Sequence, residues 1–139
     1  MVGILILAHG TLGESLIHCA SHVMGSRPLQ LSQLGVTVHD DPEAILPHAV
    51  KLTKQLDQGD GVLVLSDICG ATPCNIATRL RIPGKVEVVA GASLPMLVRA
   101  LTYRDQPLAA VVEKAISGGI EGVMHLGAPE AERNVAAGR

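Results

Sequence analysis

Apolar positions fall in short blocks separated by polar and small residues. Four runs are apolar almost without interruption: Val2–Ala8, Gly35–Val38, Gly61–Ser66 and Val86–Ala90. Runs of this length without alternation suit parallel strands buried on both faces. A weaker fifth run covers Gly122–Leu126. The intervening segments carry helical spacing. Leu12, Leu16, Cys19, Ala20 and Val23 share one face of a helix expected over Leu12–Met24, and Ile45, Ala49, Leu52 and Leu56 one face of a helix expected over Pro42–Leu56. Asp41 is placed to cap the latter, with Pro42 at its first position. Thr72-Pro73 repeats that signature and opens a short helix toward Arg81. Leu94-Pro95 opens another ending near Tyr103, and Gln106–Ser117 gives one more, stopped by Gly118-Gly119.

Strands alternating with helices predict an α/β fold, a doubly wound three-layer sandwich with right-handed crossovers. Neither repeat nor linker interrupts it, so one domain over residues 1–128 is expected. The polar, small-residue stretch from Pro129 to Arg139 reads as a loose tail.

Composition narrows the chemistry. Phe and Trp are absent and Tyr103 is the only aromatic residue, so the core must be aliphatic. A net charge of −2, without a Lys/Arg stripe or stacking aromatics, gives nucleic acid little to bind. The apolar start, MVGILILAHG, is too short to span a membrane and lacks the flanks of a signal peptide. Three cysteines without a CxxC pair point to a reducing cytoplasm.

In open α/β sheets, ligands bind beyond the carboxyl ends of the strands, where strand order reverses. Three segments lie there: Ala8-His9-Gly10-Thr11 after the first strand, Ser66–Asn75 after the third, and Gly91–Met96 after the fourth. With strand order 2-1-3-4, His9 and Asp67 project into one crevice. A carboxylate on one ring nitrogen fixes the tautomer and leaves the other nitrogen as a nucleophile. Gly70 and Ala71 leave the backbone open to close approach. The helix starting at Thr72-Pro73 can aim N–H groups of Ala71, Thr72, Cys74 and Asn75 at an anion, and Thr72 adds a hydroxyl. Each element has a plain alternative: a loop histidine, a turn-forming aspartate, an ordinary helix start. Their joint placement favours a phosphorylatable His9 oriented by Asp67, with Thr11, Gly70, Ala71, Thr72 and Asn75 around the phosphoryl group.

The remaining histidines carry less. His18 and His22 are spaced i,i+4 without a third ligand, so no metal site is expected. His39 and His48 read as structural or exposed, and His125 is a lesser candidate for the site. Cys19, Cys69 and Cys74 are expected to be small buried hydrophobes.

The strand-His-Gly start over Ile4–Gly10, the Asp67-x-x-Gly70-Ala71-Thr72-Pro73-x-Asn75 segment and Gly91-x-x-Leu94-Pro95-Met96 together resemble the enzyme IIA domain of the mannose family of the bacterial phosphotransferase system. The resemblance runs to about Leu126. It implies a cytoplasmic homodimer whose four parallel strands are joined by a fifth, antiparallel edge strand, Gly122–Leu126, which can be exchanged between subunits. It also implies phosphorylation of His9, orientation by Asp67 and a hydroxyl role for Thr72. Phosphorylated HPr would be the donor and an enzyme IIB partner the acceptor, in sugar uptake or regulation, with no cofactor. The family often has an aromatic residue where this chain has Cys69. Rival readings are a tetrapyrrole metal chelatase using His125 as second ligand, and a non-catalytic anion-binding regulatory module. A histidine phosphatase would need arginine at Ala8, and an IIA-like subunit for dihydroxyacetone phosphorylation fits Thr72-Pro73-x-Asn75 less well.

Overall fold

A computed structural model describes residues 1–127, and the tail expected from Pro129 lies outside them. The elements follow in the order β1 (Gly3–His9), α1 (Leu12–Met24), β2 (Leu31–Val36), α2 (Pro42–Leu56), β3 (Val62–Ser66), α3 (Thr72–Arg79), β4 (Val86–Ala90), α4 (Leu94–Thr102) and α5 (Leu108–Glu121). The four strands are parallel and ordered β2-β1-β3-β4, as expected. Each face of the sheet has its own aliphatic core. Ile4, Ile6, Leu63 and Leu65 pack toward α1, α4 and α5, while Leu5, Leu7, Val62 and Val64 pack toward α2 and α3. Burial on both faces is why β1 and β3 read as uninterrupted apolar runs.

Three expectations need correction. The second strand is Leu31–Val36 and not Gly35–Val38. It is an edge strand whose middle residues are only half-buried, so Ser32 and Gln33 break the apolar run, while Val38 stands in the following turn, 93% exposed. The buried face of α1 is rotated: Gly13, Leu16, Ile17 and Ala20 face the core, and Leu12, Cys19 and Val23 face solvent. Finally, Gly118-Gly119 does not end α5, which continues to Glu121; in the single chain Gly122–Leu126 pairs with no strand, and residues 123–125 carry no regular structure.

Glycines within and just after α5 serve packing. A Cβ on Gly118 would lie 2.9 Å from Arg99 Cβ, and one on Gly122 would lie 2.5 Å from Pro95 Cβ. Both positions let α5 lie directly on α4. Gly118→Val is expected to push the helices apart and cost about 1–3 kcal/mol, typical of overpacking, readable as a lower urea midpoint at unchanged slope.

Arg104 secures the amino-terminal end of the sheet. It is 6% exposed. Its guanidinium donates to the carbonyls of Val2 (2.8 and 3.0 Å), Leu29 (2.6 Å) and Gln30 (2.7 Å). Burial pulls its pKa down, and the nearby charge of Asp105 opposes that shift. Arg104→Met would remove the guanidinium from the Val2 and Leu29 carbonyls, while the Gln30 carbonyl keeps the Ile4 N–H at 3.0 Å. The expected loss is about 2–3 kcal/mol, measured by urea unfolding followed by circular dichroism.

Candidate functional site

The site grows from the carboxyl ends of β1 and β3. Gly10, at φ +51°, turns the chain off the sheet into α1, and its N–H donates to the Val36 carbonyl at 2.9 Å. That turn needs Gly35 beside it, because a Cβ there would sit 2.1 Å from the Gly10 carbonyl oxygen. On the other side Leu7 pairs with Ser66, so the chain leaving β3 places Asp67 next to the end of β1.

Asp67 then grips His9 twice. One carboxylate oxygen, Oδ2, accepts the His9 backbone N–H at 3.0 Å and lies 2.6 Å from ring Nδ1. The other, Oδ1, accepts the N–H of Ile68 at 3.0 Å. Burial would raise the Asp67 pKa, but the hydrogen bonds from the His9 backbone, the His9 ring, its own N–H and that of Ile68 outweigh it and hold the group below its usual value. An ionised carboxylate only accepts, so in the neutral ring Nδ1 carries the proton and Nε2 keeps a lone pair. The Asp67 side chain is 11% exposed and that of His9 51% exposed. The arrangement is a fixed carboxylate presenting an accessible nucleophilic nitrogen.

The third segment braces this pair. Gly91 N–H donates to the Asp67 carbonyl at 3.1 Å, and Ala92 N–H to that of Ser66 at 2.9 Å.

The loop after Asp67 leads into α3. Gly70 has φ +88°, with open space where a side chain would stand. Ala71 is the N-cap in extended conformation, and no side chain caps the helix. The N–H groups of Ala71, Thr72 and Cys74 therefore have no hydrogen-bond partner among the described residues. The Asn75 N–H is a correction to the expected donor set. It donates to the Ala71 carbonyl at 3.0 Å, as the first intrahelical bond from an N-cap must. Thr72 and the Asn75 side chain are exposed at this end, and Thr11 is the exposed N-cap of α1, with no side-chain capping bond.

The other candidates stay apart. His18, His22, His39, His48 and His125 are all exposed. No hydrogen bond or ion pair joins His125 to His9 or Asp67. Among the described residues no group of three His, Cys, Asp or Glu side chains could hold a metal ion. The cysteines are another correction: Cys74 is buried, but Cys19 and Cys69 are exposed. Two supporting residues escaped the sequence reading. Gly35 carried a signal, since a glycine inside a strand often marks close backbone approach. Ser66 carried none; its hydroxyl is fully buried without a partner.

Fold and site define a class of open parallel α/β domains that present a carboxylate-oriented histidine at the carboxyl edge of the sheet. Residues 3–116 match the family described as "PTS system fructose IIA component". The chain belongs to this mannose-type family of phosphotransferase-system IIA components. It is 30% identical over 135 residues to the mannose-specific EIIAB component of Escherichia coli K12, a match covering 95% of this chain and 42% of that protein. The chain thus spans less than half of that relative. Its fold is similar to the phosphotransferase system component EIIA from Streptococcus agalactiae (TM-score 0.80, 22% identity, 90% of this chain and 97% of that one). It is also similar to the mannose/sorbose-specific IIA subunit from Enterococcus faecalis (TM-score 0.80, 20% identity, 90% and 94%).

Proposed function

We propose that this chain is a phosphoryl carrier that takes a phosphoryl group onto Nε2 of His9 and passes it on. The observation that carries the reading is the 2.6 Å contact between His9 Nδ1 and Asp67, which leaves Nε2 bare. In the first half-reaction the Nε2 lone pair attacks the phosphorus of phosphorylated HPr in line. The Nε2–P bond forms, the donor's N–P bond breaks, and that electron pair returns to the donor ring. Asp67 stays ionised and stabilises the positive charge growing on the His9 ring, while Nδ1 keeps its proton. The free N–H groups of Ala71, Thr72 and Cys74, with the Thr72 hydroxyl, are the donors available to the phosphoryl oxygens. Positioning and electrostatics suffice for such a transfer, and no cofactor is required.

In the second half-reaction the same bond breaks toward the nucleophile of an enzyme IIB partner. The family likeness further supports a cytoplasmic homodimer, with residues 122–126 pairing on a second copy. Val123 and Leu126, 81% and 73% exposed in the single chain, are consistent with that pairing. Among the described residues no helix is long and apolar enough to cross a membrane.

The test is intact mass after incubation with phosphoenolpyruvate, enzyme I and HPr. An acid-labile gain of about 80 Da, one phosphoryl group, is expected. No gain refutes the carrier reading and leaves the anion-binding regulatory module in its place.

A further inference from the structure

Basic side chains of this acidic protein gather far from His9. Two depressions adjoin on the outer side of α2. One, of about 450 Å³, is lined by Pro47, Val50, Lys51, Lys54 and Gln55. The other, of about 190 Å³, lies between α2, α3 and the start of β4. Val50 and Lys54 line both, so the two form one groove. Its apolar floor is Val50, Leu80, Ile82 and Val86, of which Ile82 is 53% exposed. Lys51, Lys54 and Lys85 stand along it, exposed, with no ion pair among the described residues. Of the nearby acids, Asp57 lines the groove. Glu43 pairs with Arg79 at 2.7 Å, and Asp57 Oδ1 accepts the N–H groups of Gly59 and Gly61 at 2.8 and 3.1 Å.

We infer that this groove docks an acidic segment of another protein, one carrying aliphatic side chains among its carboxylates. Charge complementarity selects the carboxylates, since three lysines without an ion pair among the described residues outnumber Asp57, the carboxylate that lines the groove. The apolar floor selects aliphatic side chains, which a polyanion of charge alone does not supply. The elongated shape suits a peptide better than a compact small molecule, whose sites are enclosed and mostly larger than the inner depression. Nucleic acid is disfavoured because no aromatic side chain lines the groove for base stacking. The groove opens at the amino-terminal ends of the strands, where Lys85 precedes β4 and Val86 begins it, and His9 lies at the carboxyl ends. A strand's length, about 15 Å, separates the two. A partner can therefore be held here while His9 stays open to its phosphoryl donor.

The test uses a fluorescein-labelled twelve-residue peptide of alternating Glu and Leu at low salt, read by anisotropy. A poly-Glu peptide of equal length, a DNA duplex and phosphatidylglycerol vesicles are run alongside. Saturable binding of the Glu-Leu peptide is expected, at least tenfold tighter than that of poly-Glu. Lys54→Glu combined with Lys85→Glu should weaken it at least tenfold while His9 phosphorylation proceeds at the wild-type rate. Should that variant fold poorly, Lys51→Gln with Lys85→Gln serves, together with amide shift mapping on the wild type. Shifts at Val50, Lys54, Ile82 and Lys85, and none at His9 or Asp67, support the inference. Equal binding of DNA, vesicles or poly-Glu, indifference to charge reversal, or shifts centred elsewhere would overturn it. Because phosphorylation is read separately, failure here leaves the carrier reading intact, and the converse holds.

Discussion

His9→Ala, incubated with phosphoenolpyruvate, enzyme I and HPr, is expected to keep its unphosphorylated mass. The side chain is half exposed and, among the described residues, its only side-chain hydrogen bond is to Asp67, so its removal should leave the circular dichroism spectrum unchanged. No other histidine can take its place. His18, His22, His39, His48 and His125 are exposed, yet none has a carboxylate fixing one ring nitrogen among the described residues. Loss should therefore be complete within detection, because the covalent intermediate has nowhere else to form. An acid-labile gain in mass on this variant would remove His9 from the mechanism whatever the fold.

Asp67→Asn should slow phosphoryl uptake by about 10⁴-fold, the size of loss seen when a histidine-orienting aspartate becomes an amide. The amide keeps the shape, but its NH₂ can face Nδ1 and favour the tautomer whose proton sits on Nε2, the nitrogen that must attack. HPr binding should change little, so the loss falls on the rate at saturating donor. A fall in affinity with an unchanged rate would assign Asp67 to docking. The acid side supplies a second reading. Because the folded-state pKa of Asp67 is lowered, its share of stability is fully present above its unfolded value, near 3.8. That share is lost as pH falls through the folded value. The stability gap between wild type and Asp67→Asn should thus be flat at neutral pH and narrow only below about pH 4. Urea midpoints from pH 7 to pH 3 measure it.

How far the sequence was legible depended on how many faces each element buries. β1, β3 and β4 stood out because the sheet is covered on both sides. β2 was shifted by several residues because an edge strand tolerates Ser32 and Gln33, so its polar content hid it. In α1 the spacing of Leu12, Cys19 and Val23 was truly helical, yet Ile17 and Gly13 won the buried face. Periodicity gives a stripe, and only neighbouring elements decide which stripe turns inward. Gly118-Gly119 looked like a stop because an isolated helix weakens at glycine. Close approach to Pro95 and Arg99 outweighs that cost. At the site, His9 and Asp67 followed from strand order alone. The committed Asn75 N–H and the buried Ser66 hydroxyl depend on local geometry below the resolution of pattern.

The central place of β1 has a consequence for how the chain comes off the ribosome. Within this domain β1 is translated first, but its neighbours in the sheet are residues 31–36 and 62–66. At about 5–20 residues per second, an uncharged, wholly apolar ILILA segment waits several seconds with both edges unpaired. During that interval it is open to nascent chains of its own kind and to chaperones. Translation speed between β1 and β3 therefore bears directly on the yield of folded protein.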